Sequence, residues 1–82
     1  MVKPAAAPVK IELGRRIRYL RRTRALTQEA LAERAGVHPT YLAGIERGER
    51  NPALENLHAI ATALGVKLAE LFMFERQPGM AQ

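Results

Sequence analysis

Six arginines (Arg15, Arg16, Arg18, Arg21, Arg22 and Arg24) stand between Gly14 and Arg24 with no acid among them. Guanidinium groups at this density suit polyanions, because each can hold a phosphate oxygen through charge-assisted hydrogen bonds. The run reads as one basic helix with a function rather than a merely solvated face. The whole chain carries a formal charge of +5, which favours a nucleic-acid partner. Other chemistries find little material. Cysteine, serine and aspartate do not occur, and the two histidines, His38 and His58, lack zinc-ligand spacing. No Thr or His is set beside a base for nucleophilic attack, and no glycine-rich phosphate loop is present. Glu29 and Glu33 are four apart on one helix, as solvated faces often are. The expectation is a protein with no metal, no cofactor and no enzymatic activity.

The elements that position these groups follow from periodicity. Residues 27–47, TQEALAERAGVHPTYLAGIER, read as two short helices joined by a tight turn. Thr27 is a good N-cap, and Glu29 favours the first turn. Leu31, Ala32 and Ala35 recur at helical spacing, and Ala32 is small enough for another backbone to cross close by. Gly36 supplies the left-handed residue that ends a helix. Val37 is placed to tuck under the first of the pair. Pro39 suits the first turn of the second, where its missing N–H would have no partner, and Leu42 and Ile45 continue the apolar face. Such a pair describes a helix-turn-helix, whose second helix can enter the DNA major groove.

Around it, residues 11–24 are expected as a helix with Leu13, Ile17 and Leu20 as its buried stripe. Arg21 borders the stripe, and the other arginines point outward. Ala25 stands where a helix stop usually wants glycine. If it takes positive φ, the cost is on the order of 1 kcal/mol. A fourth helix begins near Ala53, with Asn51 as cap and Pro52 in its first turn. It buries Leu54, Leu57, Ile60, Ala61 and Leu64 and stops at Gly65. A fifth, short helix covers 67–74. The fold class is therefore all-α: a compact five-helix domain with a central helix-turn-helix. Residues 1–10 form a flexible N-terminal arm, read first as a disordered tail and alternatively as an arm in which Lys3 and Lys10 touch DNA; 11–74 form the domain, and 75–82 a flexible tail. No apolar run approaches the roughly 20 residues of a membrane span, and no signal peptide is evident, so a cytoplasmic protein is expected.

At this point the chain resembles the Cro/cI-type, or XRE, helix-turn-helix regulators, with a lambda-repressor-like fold. Leu-Thr-Gln-Glu, Leu-Ala, Ala-Gly-Val, Ile-Glu-Arg-Gly and Ala-Leu-Gly-Val stand in one order over 13–72. Small members of that family include restriction–modification controllers and phage-type repressors. The resemblance implies phosphate contacts from Gln28, through side chain and backbone N–H, and from Arg47, with Arg50 a second basic contact beside it. It also implies an ion pair of Arg21 with Glu46 that orients the reading helix. His38, Pro39, Thr40 and Gly44 fall at its base-reading positions. Pro39 and Gly44 have no side-chain donor, so base contacts are expected to be few. Phosphate contacts and DNA deformability would then carry more of the selectivity.

Tyr41 either contacts a phosphate through its hydroxyl or packs on the first helix. Met73 and Phe74 exceed what one small core needs. With Leu68, Leu71 and Phe72 they make an expected homodimer interface, since helix-turn-helix proteins commonly bind two half-sites as dimers. The function so implied is a homodimeric transcriptional regulator on a partly palindromic operator in double-stranded DNA, blocking or assisting RNA polymerase. The alternative is a protein-interaction module such as an antitoxin that masks a toxin.

Overall fold

A computed structural model describes residues 8–74. They form α1 (Val9–Thr23), α2 (Gln28–Ala35), α3 (Pro39–Glu46), α4 (Leu54–Leu64) and a 3-10 segment, Leu68–Phe72. No strand occurs among the described residues. The two central helices have the expected bounds. The fifth α-helix does not form. In its place the chain makes tight turns, with the Glu70 N–H donating to the Lys67 carbonyl at 2.9 Å. Five residues are too few to offset the cost of nucleating an α-helix, and a 3-10 turn closes with less chain. The domain is thus four α-helices and one 3-10 turn.

α1 begins at Val9, so Val9 and Lys10 belong to the helix and not to an arm. Lys3 and the rest of the expected arm, and the tail 75–82, lie outside the described residues. α4 is capped by Ala53 with no side-chain hydrogen bond, and Asn51 does not cap it. Pro52 stands before the cap rather than within the first turn. Leu54 faces solvent instead of the core.

The core joins Leu13, Ile17 and Leu20 of α1 to Leu31 and Ala32 of α2, and to Leu42 and Ile45 of α3. Leu57, Ile60, Ala61 and Leu64 of α4 and Leu71 of the 3-10 segment complete it. α2 packs on α4 and α3, α1 on α3, and the 3-10 segment on α1 and α4. Burying each large aliphatic side chain contributes about 1.5–3 kcal/mol, so one contiguous cluster fixes all five elements. The approach of α1 to α3 is closest at Gly14. A Cβ there would collide with the Ile45 carbonyl and lie 2.6 Å from the Glu46 carbonyl oxygen. A glycine inside a helix costs about 1 kcal/mol against alanine, and the close crossing is what it permits.

α1 ends through Ala25, which takes φ of 56°. The Leu26 N–H then donates back to the Arg21 carbonyl at 3.2 Å, and Leu26 packs on the core. Gly36 makes the corresponding turn between α2 and α3 with φ of 73°. Alanine is strained where glycine is not, so Ala25→Gly should stabilise the protein by about 1 kcal/mol, a rise in melting temperature of roughly 4–8 °C. Thermal denaturation followed by circular dichroism measures it. An unchanged or lower midpoint would show that the strain at Ala25 does not exceed the extra conformational entropy glycine loses on folding.

Candidate nucleic-acid interface

Three helices converge on one carboxylate. Glu46, the last residue of α3, is buried. Arg21 of α1 donates to it through two parallel bonds, Nε to Oε2 at 2.7 Å and Nη2 to Oε1 at 2.9 Å. The remaining Arg21 nitrogen, Nη1, donates to the Leu26 carbonyl at 2.8 Å. Gln28, the first residue of α2, donates its amide to Glu46 Oε1 at 2.9 Å. Arg18 lies 3.5 Å from the same oxygen. Burial acts to raise the Glu46 pKa. The bonds from Arg21 and Gln28, with the Arg21 and Arg18 charges, outweigh it and hold the group below the ordinary glutamate value. The bond from Glu46 raises the Arg21 pKa against the opposing effect of burial.

This places the expected Gln28 contact differently. Its side-chain amide is committed inward, because Glu46 Oε1 has lone pairs left after Arg21 is served. The outward donors at this end of α2 are backbone groups. Thr27 Oγ1 accepts the Ala30 N–H at 3.0 Å, and the Gln28 and Glu29 N–H groups have no partner among the described residues. An open groove lies there, lined by Arg18, Arg21, Arg22, Thr27, Gln28 and Glu29. A helix N-terminus facing guanidinium groups suits an anion.

The five arginines of α1 and Arg24, its C-cap, divide between structure and surface. Arg16 is 6% exposed, against the outward orientation expected for it. It donates from Nε to the Glu70 carbonyl at 2.8 Å and lies over the Tyr19 ring. Arg24 donates from Nε to the Leu64 carbonyl at 2.7 Å, where the C-terminal end of α4 favours a cation. Arg15 and Arg22 are exposed, and Arg22 faces the groove.

α3 presents its leading edge to solvent. His38 and Thr40 are exposed, Ala43 is half-buried, and Arg47 is exposed. Residues 40, 43 and 47 follow the i, i+3, i+7 pattern of one helical stripe. His38 caps the helix: its Nδ1 accepts the Thr40 N–H at 3.1 Å. That fixes Nδ1 as acceptor and leaves Nε2–H as the donor directed elsewhere. Pro39 is half-buried in the first turn. Gly44 does not face outward as a base reader. It is buried, and a Cβ there would meet the Arg50 Cγ at 2.8 Å. Arg50 lies across Gly44 with its guanidinium 5.8 Å from the Tyr41 ring centre. The Tyr41 hydroxyl accepts from Asn56 Nδ2 at 3.0 Å. Arg47 pairs with Glu49 at 3.0 Å, both side chains more than half exposed. Each partner shifts the other, Arg47 up and Glu49 down, chiefly through their shared hydrogen bond. An exposed pair like this is weak and exchanges readily for another anion.

At the opposite end, Leu71 is 0% exposed and belongs to the core, so it cannot form part of an outer face. Its side chain fills the space between α1 and α4. Phe72 is 42% exposed, and Leu68, Met73 and Phe74 are half-buried. Phe72 and Phe74 meet edge to face at 6.2 Å. Asn56, Gly14 and Glu49 carry structure at this site that the sequence reading passed over. Gly14 had a signal, a lone glycine within a helical pattern. Asn56, a polar residue on the half-exposed side of α4, had none. Among the described residues no group of three His, Cys, Asp or Glu could hold a metal, and no helix is long and apolar enough to cross a membrane.

Comparison with known proteins agrees with this geometry. The helix-turn-helix family model HTH_3 matches residues 17–71. An immunity repressor protein of Bacillus phage phi105 is 46% identical over 59 residues, which are 72% of this chain and 41% of that protein. The chain thus spans less than half of that repressor. The restriction–modification controller protein C.AhdI of Aeromonas hydrophila is 43% identical, with TM-score 0.76 over 77% of this chain and 96% of that one. The biofilm master regulator SinR, solved in complex with DNA, is 35% identical, with TM-score 0.69 over 72% and 95% of the two chains.

Folding lowers the Glu46 pKa, so its stabilisation is full above the ordinary value of 4.5 and is lost as pH falls through the lowered one. Glu46→Gln should cost roughly 3 kcal/mol at neutral pH, since it leaves Arg21 without its counter-charge, and should flatten the acid limb of the stability profile. Urea denaturation between neutral pH and pH of about 3 measures both. An acid limb as steep in the variant would place the titrating group elsewhere.

Proposed function

Because the chain belongs to the HTH_3 helix-turn-helix family, we propose that it is a sequence-specific DNA-binding transcriptional regulator that places α3 in the major groove. The observation that carries this is the open leading edge of α3 with cations gathered about its C-terminal end. Arg47 and Arg50 stand beyond that end, and the groove holding Arg22 at the start of α2 adjoins it where Gln28 bonds Glu46. Phosphates are held at the Gln28 and Glu29 N–H groups, Arg22, Arg47, Arg50 and the Tyr41 hydroxyl. His38 Nε2 and Thr40 Oγ1 are the side-chain atoms that reach base edges, with Pro39 and Ala43 supplying apolar contact to thymine methyls. Glu49 releases Arg47 to the duplex on binding.

The regulator acts as a homodimer on a partly palindromic operator. Leu68, Phe72, Met73 and Phe74 supply the apolar face between protomers, with Leu71 beneath them as support. Occupancy of the operator blocks or assists RNA polymerase. The alternative reading as an antitoxin gains no supporting observation, whereas the cations gathered at the end of α3 favour DNA.

Selection of bound duplexes from a random pool tests the reading and returns the half-site and its spacing. Failure to enrich any sequence would overturn it. On a selected duplex, affinity should fall with salt with a log–log slope of about −0.9 per phosphate neutralised, and Arg47→Ala should reduce that slope by about 1 per protomer. Phe72→Glu should shift the protein to monomer in sedimentation and weaken operator binding together. A dimer that persists in Phe72→Glu would move the interface to another face.

A further inference from the structure

Tyr41, Gly44, Arg50 and Asn56 form a stack that a simple basic patch would not require. Gly44 has no side chain, and the Arg50 chain occupies that space. The Arg50 guanidinium is thereby laid over the Tyr41 ring. Cation–π attraction then holds a side chain that otherwise has wide rotamer freedom. Below the ring, Asn56 of α4 donates to the Tyr41 hydroxyl oxygen at 3.0 Å. A phenolic hydroxyl has one hydrogen and two lone pairs. With a lone pair occupied by Asn56, the hydrogen must point away from α4. No acceptor among the described residues takes it. That leaves two donors on one ring, the neutral hydroxyl at its edge and the cationic guanidinium over its face, which together suit an anionic oxygen. Glu49 is the acid close enough to lower its own pKa on the Arg50 charge, and its carboxylate is held by Arg47.

Resting on the DNA reading above, we propose that Asn56 is a positioning residue for DNA. It does not touch the duplex. It sets the Tyr41 hydroxyl as a hydrogen-bond donor and steadies the ring on which Arg50 lies, so that both reach the same stretch of phosphate backbone. The same bond would also tie α3 to α4 if its role were structural alone. The distinction lies in whether Asn56 acts through the hydroxyl.

A double-mutant cycle with Asn56→Ala and Tyr41→Phe decides this. Binding is measured on a duplex recovered by selection and on a scrambled duplex of the same length and composition. Each single change should weaken binding roughly ten-fold, as loss of one hydrogen bond to a charged group does. The double variant should bind no more weakly than either single, because both remove one contact. The factor should be similar on both duplexes, since a phosphate contact is blind to sequence. Asn56→Asp keeps the side chain's size but can only accept, so it captures the hydroxyl hydrogen. It should weaken binding more in the Tyr41 protein than in the Tyr41→Phe protein, a comparison that cancels its charge. Additive single effects, or full affinity in Asn56→Ala, would overturn the proposal while leaving the DNA reading intact. A wild-type protein with no salt-dependent binding to either duplex would overturn both.

Discussion

The buried carboxylate of Glu46 is the constraint on which the arrangement of helices depends. Taking a carboxylate out of water is costly unless its lone pairs are met. Here they are met from two other elements, Arg21 of α1 and Gln28 of α2, and the carboxylate itself terminates α3. Neither α1 nor α3 can rotate about its axis without leaving a charge unpaired in the interior, and α2 cannot without removing the Gln28 bond to that carboxylate. Apolar packing would accept several such rotations, because Leu, Ile and Ala side chains are not directional. The ion pair therefore contributes less to net stability than to orientation. The Gly14 crossing works in the same direction, bringing the α1 backbone against the Ile45 and Glu46 carbonyls at the end of α3.

The orientation matters because α3 has eight residues and must project from the body with its first turns free. A short helix has little intrinsic stability, so its geometry comes from neighbours. Its N-terminus is capped by its own His38, its C-terminal end is held through Glu46, and its inner face is fixed by Leu42 and Ile45. What remains outward is a narrow stripe with Arg47 at its C-terminal end. The arginines of α1 and its C-cap show the same economy. Arg16, Arg21 and Arg24 each satisfy a carbonyl or carboxylate on a distant element, while Arg15 and Arg22 face solvent.

The central pair of helices was legible because punctuation and periodicity agree there. Thr27 caps, Gly36 turns, Pro39 opens the next helix, and Leu31, Leu42 and Ile45 fall on inner faces. The strained Ala25 was legible too, since the chain must reverse where no glycine is supplied. The short C-terminal element was not. Periodicity in Leu68, Leu71 and Phe72 is satisfied equally by one α-turn or a 3-10 turn, and length decides between them. Side-chain commitments were harder still. Whether an arginine serves a distant carbonyl depends on long-range packing, as in Arg16 with Glu70, and no local pattern records it. Gln28 turned inward and Leu71 entered the core because partners remote in sequence claimed them, and Gly44 went under Arg50 of the following loop.

The inward turn of Gly44 and the capping role of His38 bear on how a duplex would be told from another. Strong direct readout rests on bidentate Arg, Asn or Gln contacts, each worth about 1–3 kcal/mol of discrimination. The exposed turn of α3 holds none of these. His38 offers a single donor whose direction is fixed by its own cap, and Thr40 offers a hydroxyl. Two such groups per domain would discriminate weakly. By contrast, the groups proposed for phosphate outnumber them, and of these the N–H groups at the start of α2, Tyr41 and Arg50 are held in place. A rigid set of backbone contacts is sensitive to groove width and bend, because a phosphate displaced by an ångström loses its hydrogen bond. For the DNA-bound state proposed above, selectivity would shift from base edges toward the shape a sequence can adopt, and the rigidity that Glu46 imposes on the three converging helices is what would make shape readable.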